Sequence, residues 1–234
     1  MRIGILESGL VNERLVDAHG TYPAMSRRWL APHLPEAEFA TFSVVQGEWP
    51  DSPTACDAWL HTGSRFGVYD DEPWIGPLKD FVRDAAQAGA PQLGICFGHQ
   101  IAAEAMGGRA EKSSRGWGTG LQRYRVDIGG ERREWPVIVS HQDQVTALPP
   151  AARLLGGNEH CPYGVIEYEA PILTVQFHPE FDRPFSAALI RLRAGSGIPE
   201  AVAAPALASL DTPPANAEAG AWMAAWLKAK LAAR

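Results

Sequence analysis

The first half of the chain alternates short apolar runs with helical patterns, and this alternation limits the possible folds more than any other feature. Residues 2–6 lack the polar alternation of a half-exposed strand, which favours a strand buried on both faces. Strands that alternate with helices in this way are typical of an α/β fold with a parallel sheet. The other predicted strands are 39–45, 57–61 and 92–95, and the predicted helices are 22–33, 73–88 and 98–106.

The second half of the chain has strand patterns separated by turn residues, followed by a predicted helix at 184–193. We therefore expect one α/β domain over residues 1–193, with a mostly parallel central sheet flanked by helices. Residues 194–234 are expected to pack on the same domain as a connector and a C-terminal helix. The connector, 194–214, is rich in Ala, Pro, Gly and Ser, which predicts an extended or partly ordered segment. The predicted strands of this half are 121–128, 136–139, 164–168 and 172–177.

Cys96 lies between two glycines in the segment GICFG, directly after a predicted strand and before a predicted helix. This is the cysteine counterpart of the G-x-S-x-G turn, in which flanking glycines avoid collisions around a nucleophile held on a sharp turn. The helix N-terminus favours a thiolate at Cys96, and the N–H of Phe97 would face a developing oxyanion. An inert buried cysteine in a glycine-rich turn is the alternative, and the spacing alone does not decide between the two.

His178 and Glu180 follow the last predicted strand in the segment QFHPE. The ends of strands in α/β folds collect active-site residues, so His178 could serve as the base for a nucleophilic cysteine. Glu180 could orient the imidazole and support its positive charge. A turn without function is the alternative for this segment by itself, and the combination with Cys96 favours a Cys/His/Glu triad.

The segments GICFGHQ and FHPE resemble those of the class I (triad) glutamine amidotransferases, and the resemblance covers roughly residues 1–193. The sequence is most similar to the free-standing, GMP-synthase-like members, including the γ-glutamyl peptidases, whose segments also resemble TGSRFGVYDDEPWI. The resemblance implies a flavodoxin-like α/β fold. It also implies that Cys96 is the nucleophile, His178 the general base and acid, and Glu180 the carboxylate that orients His178.

The same resemblance assigns five further positions. Gly63 would supply a second oxyanion-binding N–H beside that of Phe97, and glycine there allows the backbone to approach a substrate closely. Gln100 would contact the glutamine head group, and Ser140 and His141, in VSHQDQV, would hold the substrate. Ordinary surface polarity is the alternative for Gln100 and Ser140. The acidic stretch at 68–72 could form a lid or a rim around the substrate, or a solvated loop.

Composition and charge argue against several classes of partner. The net charge is −6 and Lys and Arg form no long run, which argues against nucleic acid. No apolar run approaches the ~20 residues of a membrane span, and the first residues do not match a signal peptide. The histidines show neither an HExxH pattern nor paired spacing with Cys, so we expect no metal. The mechanism that the resemblance implies requires no cofactor. Three cysteines without a CxxC pair favour a reducing compartment, with the cytoplasm as the default.

Three functions are compatible with these patterns. The first is hydrolysis of the γ-amide of glutamine or of a γ-glutamyl peptide or conjugate, through a γ-glutamyl thioester on Cys96. The second is a glutaminase subunit that passes ammonia to a separate synthetase partner, since no P-loop GxxxxGK[ST] is present. The third is a non-catalytic binding module on the same fold. The C-terminal helix, with Trp222 and Trp226, is expected to dock on the core, and a homodimer contact is the alternative.

Overall fold

A nine-stranded sheet and a separate two-stranded sheet organise the protein in the computed structural model, which describes all 234 residues. The helices in chain order are α1 (Glu13–His19), α2 (Tyr22–Leu30), α3 (Ile75–Gln87), α4 (Phe97–Ala105), α5 (Arg183–Arg193), α6 (Glu200–Ser209) and α7 (Asn216–Ala232). The strands are β1 (Arg2–Leu6), β2 (Glu38–Phe42), β3 (Ala58–His61), β4 (Gln92–Ile95), β5 (Arg109–Lys112), β6 (Gly118–Ile128), β7 (Glu131–His141), β8 (Asp143–Ala147), β9 (Ala152–Gly157), β10 (Val165–Tyr168) and β11 (Ile172–Val175).

The strand order in the large sheet is β2-β1-β3-β4-β11-β10-β9-β6-β7, and β5 pairs with β8 in the small sheet. The strands from β2 to β11 in this order run parallel, and the later pairings are antiparallel. Every residue of β3, β4 and β11 is buried, as expected for strands covered by helices on both faces. The predicted α/β fold, with a mostly parallel central sheet flanked by helices, is confirmed.

The order of the central strands determines where the functional segments meet. Strands β3, β4 and β11 are adjacent and parallel, so the residues that follow them come together at one edge of the sheet. Those residues are Gly63 after β3, Cys96 after β4 and His178 after β11. The Cys96 backbone N–H donates to the carbonyl of Val175 at 2.9 Å, which ties the turn after β4 to the end of β11.

The β6–β7 hairpin is longer than the sequence predicts. Each strand has 11 residues, whereas the predicted strands were 121–128 and 136–139. The first four residues of β7, ERRE, are all exposed, so they show no alternation of polar and apolar side chains. Gly129 and Gly130, with φ of 62° and 89°, supply the turn between the strands.

The expectation of an extended or partly ordered connector over 194–214 is wrong, because residues Glu200–Ser209 form helix α6. Its sequence is rich in alanine, the strongest helix former, and Pro205 lies inside the helix. Helix α6 packs on β6, where the Oγ of Ser209 accepts a hydrogen bond from the Leu121 N–H at 2.8 Å. A side chain at Gly120 would lie 2.6 Å from the Ala206 carbonyl oxygen, so glycine permits this close packing.

Helix α7 lies against the rest of the protein through the tryptophans that the sequence places on it. The ring of Trp222 contacts that of Trp135 edge-on, with a centroid distance of 5.7 Å. The indole N–H of Trp226 donates to Oε1 of Glu167 at 2.7 Å. Trp29 of α2 donates to the Asn216 carbonyl oxygen at 2.8 Å, so the helix is held at its first residue as well. None of the helices in the chain is both long and apolar enough to cross a bilayer.

Three buried histidines predict a loss of stability in mild acid. Burial lowers the pKa of His61 to about 4 and those of His99 and His141 to about 3. An unfolded histidine titrates near 6.5, so below that pH the unfolded chain binds protons that the folded chain excludes. The resulting cost is on the order of 1 kcal/mol for each histidine at pH 5.5. His178 acts in the opposite direction, because its folded pKa is raised and its protonated form stabilises the fold. That stabilisation is already nearly complete at pH 7, so its further gain on acidification offsets less than the cost of one of the three histidines.

We expect the midpoint of urea unfolding to fall steeply between pH 7 and pH 5. His99→Gln is an informative variant, because a neutral amide can still hydrogen-bond Thr174, whose Oγ1 lies 2.8 Å from the His99 Nδ1. Its free energy of unfolding should depend less on pH than that of the wild type, whatever its absolute stability. If the wild-type protein has the same free energy of unfolding at pH 7 and at pH 5, the lowered pKa values of the three buried histidines are wrong.

Candidate active site

Cys96 occupies a strained turn between β4 and α4. Its φ of 53° and ψ of −99° make it the one non-glycine residue of the chain with a positive φ. Such conformations are costly for L-residues and are concentrated at functional sites. The two flanking glycines are required sterically: a side chain at Gly94 would lie 2.6 Å from the Gly98 carbonyl oxygen, and one at Gly98 would lie 2.4 Å from that of His61. Side chains at these two positions would therefore collide with the backbone, as the GICFG spacing predicts.

His178 and Glu180 form a buried pair in the segment after β11. The distance from Nδ1 of His178 to Oε1 of Glu180 is 2.8 Å, and both side chains are almost fully buried. The His178 ring stacks on Phe181 with a centroid distance of 3.9 Å. Burial alone lowers the pKa of His178, but the charges of Glu180 and Cys96, with hydrogen bonds to both, raise it to about 10. The pair therefore favours a protonated imidazole beside the Cys96 sulfur.

Two backbone N–H groups near Cys96 have no acceptor in the protein. Phe97 is the first residue of α4, so its N–H has no partner within the helix, and Gly63 lies in the loop after β3. Neither group donates to another backbone oxygen. A side chain at Gly63 would lie 2.9 Å from Cε1 of His178 and 3.7 Å from Cβ of Cys96, so this backbone lies directly against both.

A cavity of about 240 Å³ opens beside Cys96, and Ser140 and His141 line it. Nδ1 of His141 lies 3.1 Å from the carbonyl oxygen of Asp143. Because a carbonyl can only accept, the proton of His141 is on Nδ1, which leaves Nε2 as an acceptor that is buried without a partner. Burial and the neighbouring His160 and His178 lower the pKa of His141 to about 3, so the ring is neutral at pH 7.

Gln100 also lines the cavity, but its amide nitrogen is already engaged. Its Nε2 donates to the carbonyl oxygen of Asp143 at 2.9 Å and to Oε1 of Gln176 at 3.1 Å. Gln100 is only 3% exposed, so the alternative of ordinary surface polarity is wrong for this residue. The two hydrogen bonds leave its carbonyl oxygen as the atom for any further contact.

The structure adds Trp117 and Arg193, which sequence reasoning did not single out, to a cavity that Tyr69 also lines. Tyr69, in the acidic stretch 68–72, donates its hydroxyl hydrogen to Oδ2 of Asp143 at 2.8 Å. Arg193, from the end of α5, lines the cavity together with Trp117, which directly precedes β6. No local pattern marks Trp117 or Arg193, because they come from segments that meet only in the folded chain. No group of three or more His, Cys, Asp or Glu side chains is arranged to hold a metal ion.

Comparison with known sequences decides the family. The sequence model described as glutamine amidotransferase class-I matches residues 66–191, which is more than half of the chain. The protein belongs to the class-I glutamine amidotransferase family. The matched range contains Cys96, His178 and Glu180, and Gly63 precedes it.

Individual amidotransferase relatives are distant. Gamma-glutamyl peptidase 5 of Arabidopsis thaliana is 31% identical over 154 residues, which cover 61% of this chain and 61% of that protein. A GMP synthase [glutamine-hydrolyzing] of Azoarcus sp. is 36% identical over 132 residues, covering 51% of this chain and 24% of that protein. The chain therefore spans less than two thirds of the length of these relatives.

A solved structure shows the same fold over the whole chain. A glutamine amidotransferase from Methylobacillus flagellatus matches with a TM-score of 0.76 at 19% sequence identity, covering 100% of this chain and 94% of that one. At this identity the likeness establishes the architecture alone. The α/β arrangement described above is thus that of class I glutamine amidotransferases.

Proposed function

We propose that this amidotransferase hydrolyses the γ-amide bond of glutamine or of a γ-glutamyl peptide or conjugate through a γ-glutamyl thioester on Cys96. The observation that carries the proposal is the buried His178–Glu180 pair beside a cysteine held at φ 53°. A carboxylate that accepts from Nδ1 fixes the imidazole orientation and stabilises its positive charge. Support also comes from the family and from its γ-glutamyl peptidase members.

In the first half-reaction, the Cys96 thiolate attacks the γ-carbonyl carbon and the carbonyl oxygen becomes an oxyanion. The free N–H groups of Gly63 and Phe97 donate to that oxyanion, and each such donor is typically worth about 3 kcal/mol in the barrier. His178 then transfers its Nε2 proton to the departing nitrogen as the C–N bond breaks. The products of this step are a γ-glutamyl thioester on Cys96 and a free amine or ammonia.

In the second half-reaction, water attacks the thioester carbonyl carbon, and His178 accepts a proton from that water. The C–S bond breaks, which regenerates the Cys96 thiolate and releases glutamate. These steps need neither a metal nor an organic cofactor. Ser140, His141 and Gln100 line the cavity and would hold the glutamyl portion of the substrate.

Transfer of ammonia to a separate synthetase is the second candidate. The relation to GMP synthases favours it. The match covers only 24% of the Azoarcus protein, so the remainder of such a synthase would have to be supplied by a separate partner. A non-catalytic binding module is disfavoured, because a strained cysteine and a buried ion pair both reduce stability and binding alone requires neither.

The purified chain should hydrolyse γ-glutamyl substrates without a partner. We suggest measuring the release of glutamate from glutamine, γ-glutamylglycine and glutathione, with the Cys96→Ala protein as the blank. Hydrolysis of at least one of them by the wild type alone supports a self-sufficient hydrolase. If turnover begins only when a synthetase is added, the ammonia-donating subunit is the correct function. If neither condition gives turnover, the proposed enzymatic function is wrong.

A further inference from the structure

Three cations line the cavity beside Cys96, and one of them differs from the others. Arg65 and Lys112 are exposed, whereas Arg193 is half-buried. Arg193 makes no salt bridge and no side-chain hydrogen bond with any residue of the chain. A half-buried cation without a carboxylate partner is costly, so its position in the cavity that Cys96 also lines requires an explanation.

The guanidinium of Arg193 is held in a fixed position. Its central carbon lies 4.5 Å from the centroid of the Trp117 ring, in cation–π geometry. On another side, a Cβ at Gly197 would lie 3.4 Å from Nε of Arg193, so the backbone of Gly197 packs against the group. A flat guanidinium held by an aromatic face keeps its N–H groups free, and these N–H groups match the geometry of a carboxylate.

Arg193 ends the helix that follows the His178 segment, and it lines the same cavity as Cys96. The Tyr22 ring stacks on Phe181 at 5.9 Å, and Phe181 stacks on His178 at 3.9 Å. Phe185, in the first turn of α5, packs edge-on against Phe181 with a centroid distance of 4.6 Å, so the helix that ends at Arg193 begins at this aromatic stack. Since His178 gives its proton to the departing nitrogen, the leaving amine lies next to His178.

The polar groups that we assign to the glutamyl portion come from other elements of the fold. The amide of Gln100, from α4, is bound to the carbonyl oxygen of Asp143, and Tyr69 is bound to the carboxylate of the same residue. These groups occupy the region between α4 and β8. The cavity therefore offers polar groups from α4 and β8 and a single half-buried cation from the end of α5.

We propose that Arg193 is a specificity-determining residue that binds a carboxylate on the leaving amine. The preferred substrates are then γ-glutamyl amino acids and peptides, in contrast to simple γ-glutamyl amides and glutamine, whose leaving groups carry no carboxylate. This inference rests on the proposed hydrolase function and narrows its substrate class.

The test compares γ-glutamylglycine with γ-glutamylmethylamide, whose leaving amines differ only in the carboxylate. We expect the wild type to prefer γ-glutamylglycine by about tenfold to a hundredfold in kcat/KM, as a charge-assisted hydrogen bond implies. Arg193→Met should bring the ratio of the two kcat/KM values close to one, and Arg193→Lys should restore part of it. Arg191→Met is the matched control, because Arg191 lies in the same last turn of α5 but is exposed. It should keep the wild-type ratio.

Binding to the Cys96→Ala protein, measured by calorimetry, gives a readout that does not depend on turnover. We expect γ-glutamylglycine to bind more tightly than γ-glutamylmethylamide, and this difference should vanish when Arg193→Met is added. A ratio that is unchanged in Arg193→Met overturns the proposal, as does an equal loss for both substrates. If the binding preference is present but neither compound is hydrolysed, the proposed hydrolase function fails while the assignment of Arg193 stands.

Discussion

Replacing Cys96 with alanine should lower kcat/KM for γ-glutamyl substrates by about 10⁴-fold or more, which is the scale of loss for a covalent nucleophile. No other group in the cavity can form the thioester, because Cys56 and Cys161 do not line it. The substitution removes one small buried side chain and keeps the surrounding glycines, so the melting temperature should change little. The measurement is the release of glutamate, followed together with thermal unfolding of the same preparation.

The other two cysteines supply matched controls for Cys96→Ala. Both are buried free thiols, and burial raises the pKa of each, to about 12 for Cys161. A thiol with a raised pKa is a poor nucleophile at pH 7. Cys56→Ala and Cys161→Ala should therefore keep wild-type turnover per folded molecule. Activity retained in Cys96→Ala, or lost in Cys56→Ala with the fold intact, would show that the nucleophile is assigned wrongly.

The geometry around Cys96 could be predicted from the sequence because it is local. A buried strand, a cysteine between two glycines and a following helix are adjacent in the chain, and the required turn allows little freedom. His178 and Glu180 are also separated by a single residue, so their contact follows from a short segment. The parallel pairing of β4 with β11 then brings the two segments to one edge of the sheet.

The remainder of the cavity depends on contacts between distant segments. Tyr69 and Asp143 are 74 positions apart, and Gln100 and Gln176 are 76 apart. The position of Arg193 depends on how α5 ends and on where Trp117 enters β6. Periodicity and propensity describe each segment separately, so they do not predict contacts between residues that are far apart in the chain. Helix α6 was missed for a different reason: the Ala, Pro, Gly and Ser content of residues 194–214 suggested a connector, although alanines fill the interior of the helix.

Glu180→Gln should reduce kcat/KM by about a hundredfold to ten-thousandfold while leaving the fold intact. In the wild type, Oε1 of Glu180 accepts from Nδ1 of His178, and its charge stabilises the imidazolium. A glutamine can turn its NH₂ group toward Nδ1, which forces the proton onto Nε2 and gives the wrong tautomer for the reaction. Even with the amide oxygen facing Nδ1, the negative charge is lost. The second carboxylate oxygen, Oε2, is buried without a partner, so no other residue compensates.

The pH profile separates this role of Glu180 from a purely structural one. The pKa of His178 is raised to about 10, so kcat/KM of the wild type should fall at high pH only as His178 loses its proton near that value. Removing the Glu180 charge removes a cause of the raised pKa, and the alkaline limb should move to lower pH in Glu180→Gln. Glu169→Gln, at an exposed glutamate, should keep the wild-type profile. If Glu180→Gln loses activity equally at every pH, then Glu180 only positions the backbone after β11. If the alkaline limb instead moves to lower pH, the charge of Glu180 keeps His178 protonated, so that the proton can be transferred to the leaving nitrogen.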